Sequence, residues 1–558
     1  MSKTLKTYNK KSTGLTRALC LLISISLILV LFAGCNKDKS AMKNEPENTQ
    51  KEAGVSDKNG EDKDKENYIL TVTIGDRFAK WSQNDMRDIW KVLQEKTGIK
   101  FKFECVPSDQ YNNVMSIRLA SNEKLPDLFT PPGTQNDVSK FFNEGLLIPL
   151  EGLIEQYGTN TMKYLNVHPE FKASLYTPEG KIPVVYSHYK DYLNFEPYWP
   201  MVRLDFLRNV NLEIPKTIDE FYNMLVKFKN KDANGNGDTN DEIPFSNQAW
   251  QHLLRIAEFF NARVGGDGFN PDDDGKIQYY FTNEKFKESL IFLNKLYREG
   301  LLDNEFTNMK TDKLVTKIAN ETVGAFVGYG HGNPTLMRTE IDDKFVMLPV
   351  LENHDGRKVW VGSSGVGSPF GISKDCKYPD LAMKWIDEYC FNRENYIYYI
   401  LGIEGKNYTI ENGEYKPTEW ALNHPDKLTS EEVVKSLGGT PALSYPYDME
   451  AWKLLFKYNV AKGLNHENHV SICTDNQKHI VNPFPFIYAE DKDIEFINRY
   501  INDITTYRDE MVIKFILGEE SLDNFNKYIE TLNSMGVKDI LPIKQKQYDN
   551  YIKNVNKN

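Results

Sequence analysis

The feature that most constrains how this chain can fold is an uncharged, mainly apolar segment near the N-terminus, residues 18–32. The segment before it has no acidic residue but carries the basic side chains Lys3, Lys6, Lys10, Lys11 and Arg17. A membrane-spanning helix needs about 20 apolar residues, so this run is short for a span and has the layout of an export signal. We therefore predict that residues 1–34 are a signal peptide and that the body folds outside the cell.

The residues Ala33, Gly34 and Cys35 follow this run directly. They resemble the lipobox of bacterial lipoproteins, in which the cysteine thiol is acylated and the signal is cut before it. The resemblance implies that Cys35 carries a diacylglycerol group and holds the protein on the extracellular face of the cell membrane. Phe32 stands where these proteins usually have Leu, and the alternative is an uncleaved anchor in which Cys35 is incidental.

A charged segment separates this cysteine from the rest of the chain. Residues 36–67 have almost nothing apolar to bury, so burial cannot offset the entropy lost on ordering them. We predict that residues 35–67 are the lipidated cysteine and a disordered tether, which gives the folded body reach and rotational freedom.

The remaining residues, 68–558, are too many for one ordinary hydrophobic core, so we expect two or more lobes. The whole chain is 40% hydrophobic with a formal net charge of -11. This composition fits a soluble body, and the acidic balance argues against nucleic acid as a partner. Few cysteines remain after the signal and Cys35, which excludes a disulfide scaffold.

Helix and strand periodicities alternate along the body. A helical stripe at 86–93 ends at Gly98, and residues 99–105 then alternate as a strand. A second helical stretch at 111–119 leads to a short buried strand within 126–130. This order predicts an α/β fold with a largely parallel sheet.

Three further helices have recognisable end signals. Thr217 and Glu220 form a capping box, and Asn283 caps a helix that ends at Gly300. Pro379 opens a third helix, because its fixed φ suits the first helical position.

Five stretches in a fixed order carry a family resemblance. They are 198–207, 214–245, 290–306, 371–389 and 402–409. Together they resemble the large extracellular solute-binding lipoproteins of bacterial ABC importers, in the group that takes up oligosaccharides and uronate polymers.

This resemblance implies a two-lobed, periplasmic-binding-protein-like α/β fold with a hinge between the lobes. We place lobe 1 at about 68–182 and 362–410 and lobe 2 at about 183–361, with the C-terminal segments shared. The implied partners are an oligosaccharide ligand and the membrane subunits of an ABC permease, and we expect a monomer. Closure of the lobes around ligand would present a composite surface to the permease.

The loop 232–242 has the residue spacing of a calcium-binding loop. Oxygen-bearing side chains stand at alternate positions, namely Asp232, Asn234, Asn236, Asp238 and Asn240, and Gly237 lies where such a loop must turn. Position 12 is Ile243, so we expect Asp241 and Glu242 to close the loop, as in the similar loop of the family. Either Asn240 or Asp241 is the ninth-position ligand. We predict a structural Ca²⁺; the alternative is an Asn/Gly-rich turn that binds no metal.

Aromatic residues make up 12% of the chain. Sugar C–H faces stack on aromatic rings, and sugar hydroxyls need polar neighbours. Most of these rings must be core, but a few stand in polar contexts. The candidate ligand-binding residues are Tyr186, Trp199, Arg203, Trp250, Tyr329 and Trp360.

No enzyme motif is complete. His466, His469 and Cys473 share a possible helix face for a metal, although ordinary polar residues explain it better. Residues 362–367 lack the lysine of a phosphate loop. We therefore assign no catalytic residue. A binding protein is our leading hypothesis, and the alternatives are a cell-surface glycosidase or lyase, whose carboxylates need not be close in sequence, and a peptide or signal receptor of the same fold.

Overall fold

The computed structural model describes residues 64–76, 79–121, 123–188, 198–329, 344–428, 430–439 and 467–556. Asp62–Asn558 form one compact unit. The predicted signal peptide, Cys35 and nearly all of the predicted tether lie outside the described residues. Among the described helices, none combines the length and apolar character needed to cross a membrane.

The described strands are numbered in chain order. They are β1 (Leu70–Asp76), β2 (Phe101–Pro107), β3 (Leu128–Phe129), β4 (Val185–His188), β5 (Tyr198–Arg203), β6 (Ile243–Asn247), β7 (Phe269–Pro271), β8 (Ile277–Tyr279), β9 (Val323–Tyr329), β10 (Phe345–Met347), β11 (Trp360–Val361), β12 (Val366–Ile372), β13 (Tyr408–Glu411), β14 (Glu414–Pro417) and β15 (Ile480–Val481).

The described α-helices are numbered in the same way. They are α1 (Asp88–Thr97), α2 (Tyr111–Ala120), α3 (Gln135–Asn143), α4 (Glu151–Tyr157), α5 (Thr159–Val167), α6 (Pro169–Leu175), α7 (Leu204–Asn209), α8 (Ile218–Asn230), α9 (Glu284–Arg298), α10 (Thr311–Ala319), α11 (Pro379–Ile386), α12 (Arg393–Leu401), α13 (Glu419–Leu422), α14 (Ser430–Ser436), α15 (Glu467–Asn476), α16 (Asp491–Leu517), α17 (Phe525–Ser534) and α18 (Val537–Val555). A 3₁₀ segment covers Trp250–Phe260, and a π-helical turn covers Asp387–Phe391.

The first sheet has five strands in the order β2-β1-β3-β12-β4. β1 pairs in parallel with β2 and β3, as the β-α-β order predicted, whereas β12 runs antiparallel to both of its neighbours. β12 has the opposite direction because the chain enters this sheet again after a long excursion. The apolar faces of this sheet and its helices form one core, from Leu70 to Tyr186 and again from Phe370 to Tyr488.

The second sheet has four strands in the order β10-β5-β9-β6. Only the β6–β9 pairing is parallel, and the other two are antiparallel. The parallel arrangement expected from residues 86–130 therefore does not extend to this second sheet, in which most neighbouring strands are antiparallel. Its core contains residues from Trp199 to Trp360 and also takes in Ile504–Ile540 of the C-terminal helices.

The helix-end positions read from the sequence are confirmed, although the Glu220 side chain accepts from the Lys216 N–H and not from Thr217, so the capping box is only half formed. The Thr217 hydroxyl accepts a hydrogen bond from the Glu220 backbone N–H at 3.1 Å, and the Asn283 side chain accepts bonds from the start of α9. Pro379 is the first residue of α11. Gly98 and Gly300 follow α1 and α9 with positive φ values of 71° and 63°, a conformation that glycine adopts without steric cost.

The chain connects the two cores at several places. It passes from the second core to the first between Trp360 and Phe370. The last helix, α18, contacts both sides: the Tyr551 hydroxyl donates to the Glu170 backbone carbonyl in α6, and the Gln545 side-chain oxygen accepts from the Ile277 N–H in β8. The lobe boundaries given above stay a prediction.

Candidate functional site

A cavity of about 460 Å³ lies where segments from both cores meet. Its volume is within the range of small-molecule sites. The start of α3 comes from the first core, residues 265–270 come from the second, and residues 362–364 belong to the connection between them. The stretch 483–498 and α18 complete the wall.

Two phenyl rings lie on the C-terminal side of this cavity, in the sequence Pro483-Phe484-Pro485-Phe486. The Phe484 N–H donates to the buried Asn270 side-chain oxygen at 2.8 Å, and the Asn270 amide nitrogen donates to the Arg263 and Gly265 carbonyls. Phe486 packs edge-to-face on Tyr186, with 4.6 Å between the ring centroids. Asn270 and Tyr186 therefore fix both rings to the rest of the fold.

A buried ion pair stiffens the wall behind residue 265. Glu258 is fully buried, and its carboxylate accepts hydrogen bonds from the Arg255 guanidinium at 3.2 Å, the Gly265 N–H at 2.9 Å and the Val361 N–H at 3.0 Å. Arg255 also donates to the Val361 carbonyl at 2.7 Å and lies over the Trp360 ring. This pair thus joins the cavity wall to the strand from which the chain leaves the second core.

The cavity holds one close pair of charged side chains. The Lys544 ammonium lies 3.0 Å from the Asp267 carboxylate and 4.4 Å from the centre of the Phe484 ring. Asp267 also accepts the Phe269 N–H at 3.0 Å. Lys544 is therefore held between a carboxylate and an aromatic face, and its charge is compensated within the wall.

Two side-chain amides of the cavity have a nitrogen without a partner. The Nε2 atoms of Gln135 and Gln547 are buried and form no hydrogen bond in the described structure. Gln135 is the first residue of α3, and Gln547, which is 9% exposed, lies on α18. A buried amide N–H without an acceptor costs free energy, so an acceptor that reaches either nitrogen would remove this cost.

The loop 232–242 is shaped by hydrogen bonds from side-chain oxygens to backbone N–H groups. Asp232 accepts from Asn236 at 3.0 Å and from Gly237 at 2.9 Å. Asn236 accepts from Asp238 at 2.7 Å, and Asp238 accepts from Asn240 at 3.0 Å. The chain therefore turns at each alternate residue, as the motif predicted.

The acidic end of this loop consists of Asp241 and Glu242, and one of these two carboxyl groups is partly buried with a raised pKa. The amide nitrogens of Asn234 and Asn236 donate to Asp241 at 3.2 and 2.7 Å, and Glu242 accepts the Ala233 N–H at 2.7 Å. The Glu242 Oε2 atom is buried without a partner, and burial raises the pKa of this carboxyl. Within the described residues, no three His, Cys, Asp or Glu side chains converge on one point, but the carboxylate and amide oxygens together suit a hard cation.

The sequence profile described as bacterial extracellular solute-binding protein matches residues 80–390, more than half of the chain. The chain belongs to this family. The resemblance read from the sequence is thereby confirmed.

Two characterised relatives of this solute-binding protein span most of its length. The fructooligosaccharide ABC transporter substrate-binding protein FusA of Streptococcus pneumoniae is 26% identical over 494 residues, covering 83% of this chain and 87% of FusA. The polygalacturonan/rhamnogalacturonan-binding protein YtcQ of Bacillus subtilis is 21% identical over 475 residues, covering 81% and 86% of the two chains.

A solved structure is similar over its whole length. It is an EF-hand mutant of Streptococcus pneumoniae FusA in complex with fructo-nystose, with a TM-score of 0.65 and 22% identity, covering 87% of this chain and 100% of that chain. The likeness confirms the two-lobed α/β fold expected from the sequence.

The candidate ligand residues of this solute-binding protein lie in different environments. Trp199 and Trp360 are buried, with 3.9 Å between their ring centroids, and the Trp199 Nε1–H donates to the Leu348 carbonyl at 2.7 Å. Arg203 is 1% exposed and paired with Asp205 at 2.8 Å. These three side chains thus support the second core.

The other three candidates are closer to loops. Tyr186 is buried, its hydroxyl lies 2.9 Å from that of Tyr488, and burial raises its pKa well above the usual range. Trp250 is half-buried at the start of the 3₁₀ segment. Tyr329 pairs with Tyr198 in the second sheet, but its side chain is outside the described part. None of the six lines the described cavity, and their contact with ligand stays a prediction.

Sequence reasoning missed the residues that do line the cavity. Phe484 and Phe486 alternate with prolines, a pattern that keeps a segment extended and out of helices, and this signal was available. Gln547 and Lys544 gave no such signal, because polar residues on a C-terminal helix are usually exposed. The possible metal face of His466, His469 and Cys473 lies outside the described residues or their described side chains.

Proposed function

We propose that the protein captures an oligosaccharide in the cavity between its two cores and delivers it to the membrane subunits of an ABC importer. The observation that carries this proposal is the lining of the cavity, where the Phe484 and Phe486 rings stand beside neutral polar side chains. Aromatic faces with a few polar groups suit the alternating C–H and hydroxyl surfaces of sugars. FusA and YtcQ, both described as saccharide-binding proteins, support the same ligand class.

The two-core architecture supports a hinged mode of capture. Ligand would contact the start of α3 on one side and residues 265–270 on the other, so binding free energy would favour the closed arrangement. The closed protein would then offer the permease a surface drawn from both lobes. Because no step of this cycle changes a covalent bond, the residues are assigned to binding and not to catalysis.

The N-terminal region is proposed to anchor the protein to the cell membrane. Cys35 would carry the diacylglycerol anchor on the extracellular face, and the segment up to residue 67 would serve as the tether. One acyl chain gives only marginal membrane binding, whereas two give a stable anchor. A monomer suffices for this role, because the cavity is built from a single chain.

The loop 232–242 is proposed to hold a structural Ca²⁺. Asp232, Asp241 and Glu242 would supply carboxylate oxygens, together with side-chain oxygens of the alternating Asn and Asp residues; the ion would stiffen the turn that links α8 to β6. The unpartnered Glu242 Oε2 supports this assignment. Between the two candidates for the ninth ligand, Asp241 is favoured, because both neighbouring amides already converge on it.

The ligand class can be tested by isothermal titration calorimetry of the mature body, residues 68–558, with tri- and tetrasaccharides. A short-peptide library serves as the comparison, and the recovered sugars are analysed for cleavage. We expect saturable binding of at least one oligosaccharide, with no product formed. Cleavage products would support the glycosidase or lyase instead, and binding confined to peptides would support a receptor.

A further inference from the structure

The charges of the cavity are balanced within its own wall. Of the described lining side chains, only Asp267 and Lys544 are charged, and they form the 3.0 Å pair. The Lys544 side chain is 13% exposed, and the Phe484 ring lies 4.4 Å from its ammonium group. A carboxylate on a ligand would therefore have to compete with Asp267 for this cation.

Two other sources of positive potential near the cavity are also compensated. The N-terminus of α3 faces the cavity, but the Asp137 carboxylate caps it and accepts from the Thr134 N–H and hydroxyl. Arg255 lies behind residue 265 and is paired with the buried Glu258. Among the described residues, no uncompensated cation is thus presented to a bound molecule.

The unused hydrogen-bonding capacity of the cavity is neutral. Gln135 and Gln547 stand on opposite parts of the wall, each with a buried Nε2 that has no acceptor. A sugar hydroxyl or ring oxygen would satisfy such a donor. A carboxylate would gain the same hydrogen bond, but it would lose its hydration without gaining an opposite charge, which costs far more.

We propose that this cavity selects uncharged oligosaccharides over uronate-containing ones, because Lys544 is already paired with Asp267, and that the side-chain amides of Gln547 and Gln135 donate hydrogen bonds to the bound sugar. The inference rests on the proposed function and sharpens it to one ligand class. α18 thereby serves as a specificity element, since it carries both Gln547 and the neutralised Lys544.

The first experiment compares two panels of equal length by calorimetry on the mature body. One contains neutral tri- and tetrasaccharides, including nystose, and the other contains tri- and tetragalacturonate. We expect at least one neutral sugar to bind at least tenfold more tightly than either acidic one. Tighter binding of a galacturonate would overturn the inference while leaving the proposed function intact, whereas no binding of any saccharide would overturn both.

The second experiment tests the two donors with the best neutral sugar of that panel. Gln547→Met and Gln135→Met keep the side-chain length but remove the amide, and each should weaken binding about threefold to tenfold. Gln156→Met, at an exposed position on α4, is the matched control and should bind as the unmodified protein does. Unchanged affinity in both cavity variants would overturn the role assigned to the amides.

The melting temperature of the ligand-free variants distinguishes a direct contact between these two amides and the ligand from a structural role of the amides. Because neither Nε2 has a partner, removing the amide should leave the melting temperature of the ligand-free protein unchanged or slightly raised. A fall in melting temperature that accounts for the lost affinity would contradict a direct contact.

Asp267→Asn, which releases Lys544, should raise the affinity for trigalacturonate at least tenfold relative to the neutral sugar; no gain would refute the charge argument.

Discussion

The buried Glu258 carboxylate provides the sharpest test of how the cavity wall is held. Replacing Glu258 with Gln keeps the shape but removes the negative charge. Arg255 would then be a buried cation without a counter-ion, and the new amide group would face the N–H donors of Gly265 and Val361. Breaking one side of a buried ion pair costs about 3–5 kcal/mol, so we expect a loss of that size in the free energy of unfolding.

A double-mutant cycle identifies the cause of that loss. Arg255→Met with Glu258→Gln removes both charges, so the double variant should be more stable than Glu258→Gln alone, with a coupling energy of about 2 kcal/mol or more. Calorimetry suits this measurement because it resolves separate transitions in a two-lobed chain. Ligand affinity should fall in the single variant, since Gly265 lines the cavity and Val361 directly precedes the lining residue Gly362.

Two results would refute this reasoning. A loss below about 1 kcal/mol in Glu258→Gln would mean that the pair is already well solvated, as surface pairs are. A double variant less stable than the single one would mean that packing of Arg255 on Trp360, and not charge compensation, is the main contribution.

Three further predictions concern other parts of the chain. A calcium chelator should lower the melting temperature, and the double substitution Asp232→Asn with Glu242→Gln should abolish that effect. A melting temperature that chelator does not change, in a protein that contains no calcium by elemental analysis, would exclude the metal. Cys35→Ala should not incorporate labelled fatty acid, and incorporation equal to that of the unmodified protein would exclude this anchor. Burial lowers the pKa of His252 to about 4, so its contribution to stability is complete above pH 6.5 and is lost as pH falls toward 4. The loss in the free energy of unfolding amounts to about 1–3 kcal/mol. His252→Gln should flatten the dependence of this free energy on pH between 6.5 and 4, and an unchanged dependence would contradict the prediction.

Local signals in the sequence predicted local structure well. Thr217, Asn283 and Pro379 marked helix starts that the structure contains, because caps and fixed φ angles act within a few residues. The direction of β12 was not predictable in this way. It depends on where the chain enters the first sheet after leaving the second core, and no local pattern encodes that path.

The candidate ligand residues show the limit of reasoning from context. Trp199 and Trp360 were candidates because their segments also contain polar residues such as Arg203, but in the fold the two rings pack on each other, and Trp199 donates to the Leu348 carbonyl. Arg203 lies on the same face of β5 as Trp199 and is itself buried, so a nearby polar residue does not imply an exposed ring. Phe484 was recognisable as a loop aromatic, but its place opposite Lys544 depends on how α18 packs.

The distribution of the cavity residues along the chain explains why the family predicts the fold better than the ligand. The family profile matches residues 80–390, which contain the two sheets except for β1, together with the connection between the cores. More than half of the lining residues, however, lie between Pro483 and Gln547, beyond that match. The matched part therefore provides most of the two sheets, whereas the stretch before α16 supplies the aromatic rings Phe484 and Phe486, and α18 supplies Lys544 and Gln547. Under the specificity proposed above, a change of ligand class would involve residues 483–547 together with Gln135 and Asp267, so the family match alone does not predict it.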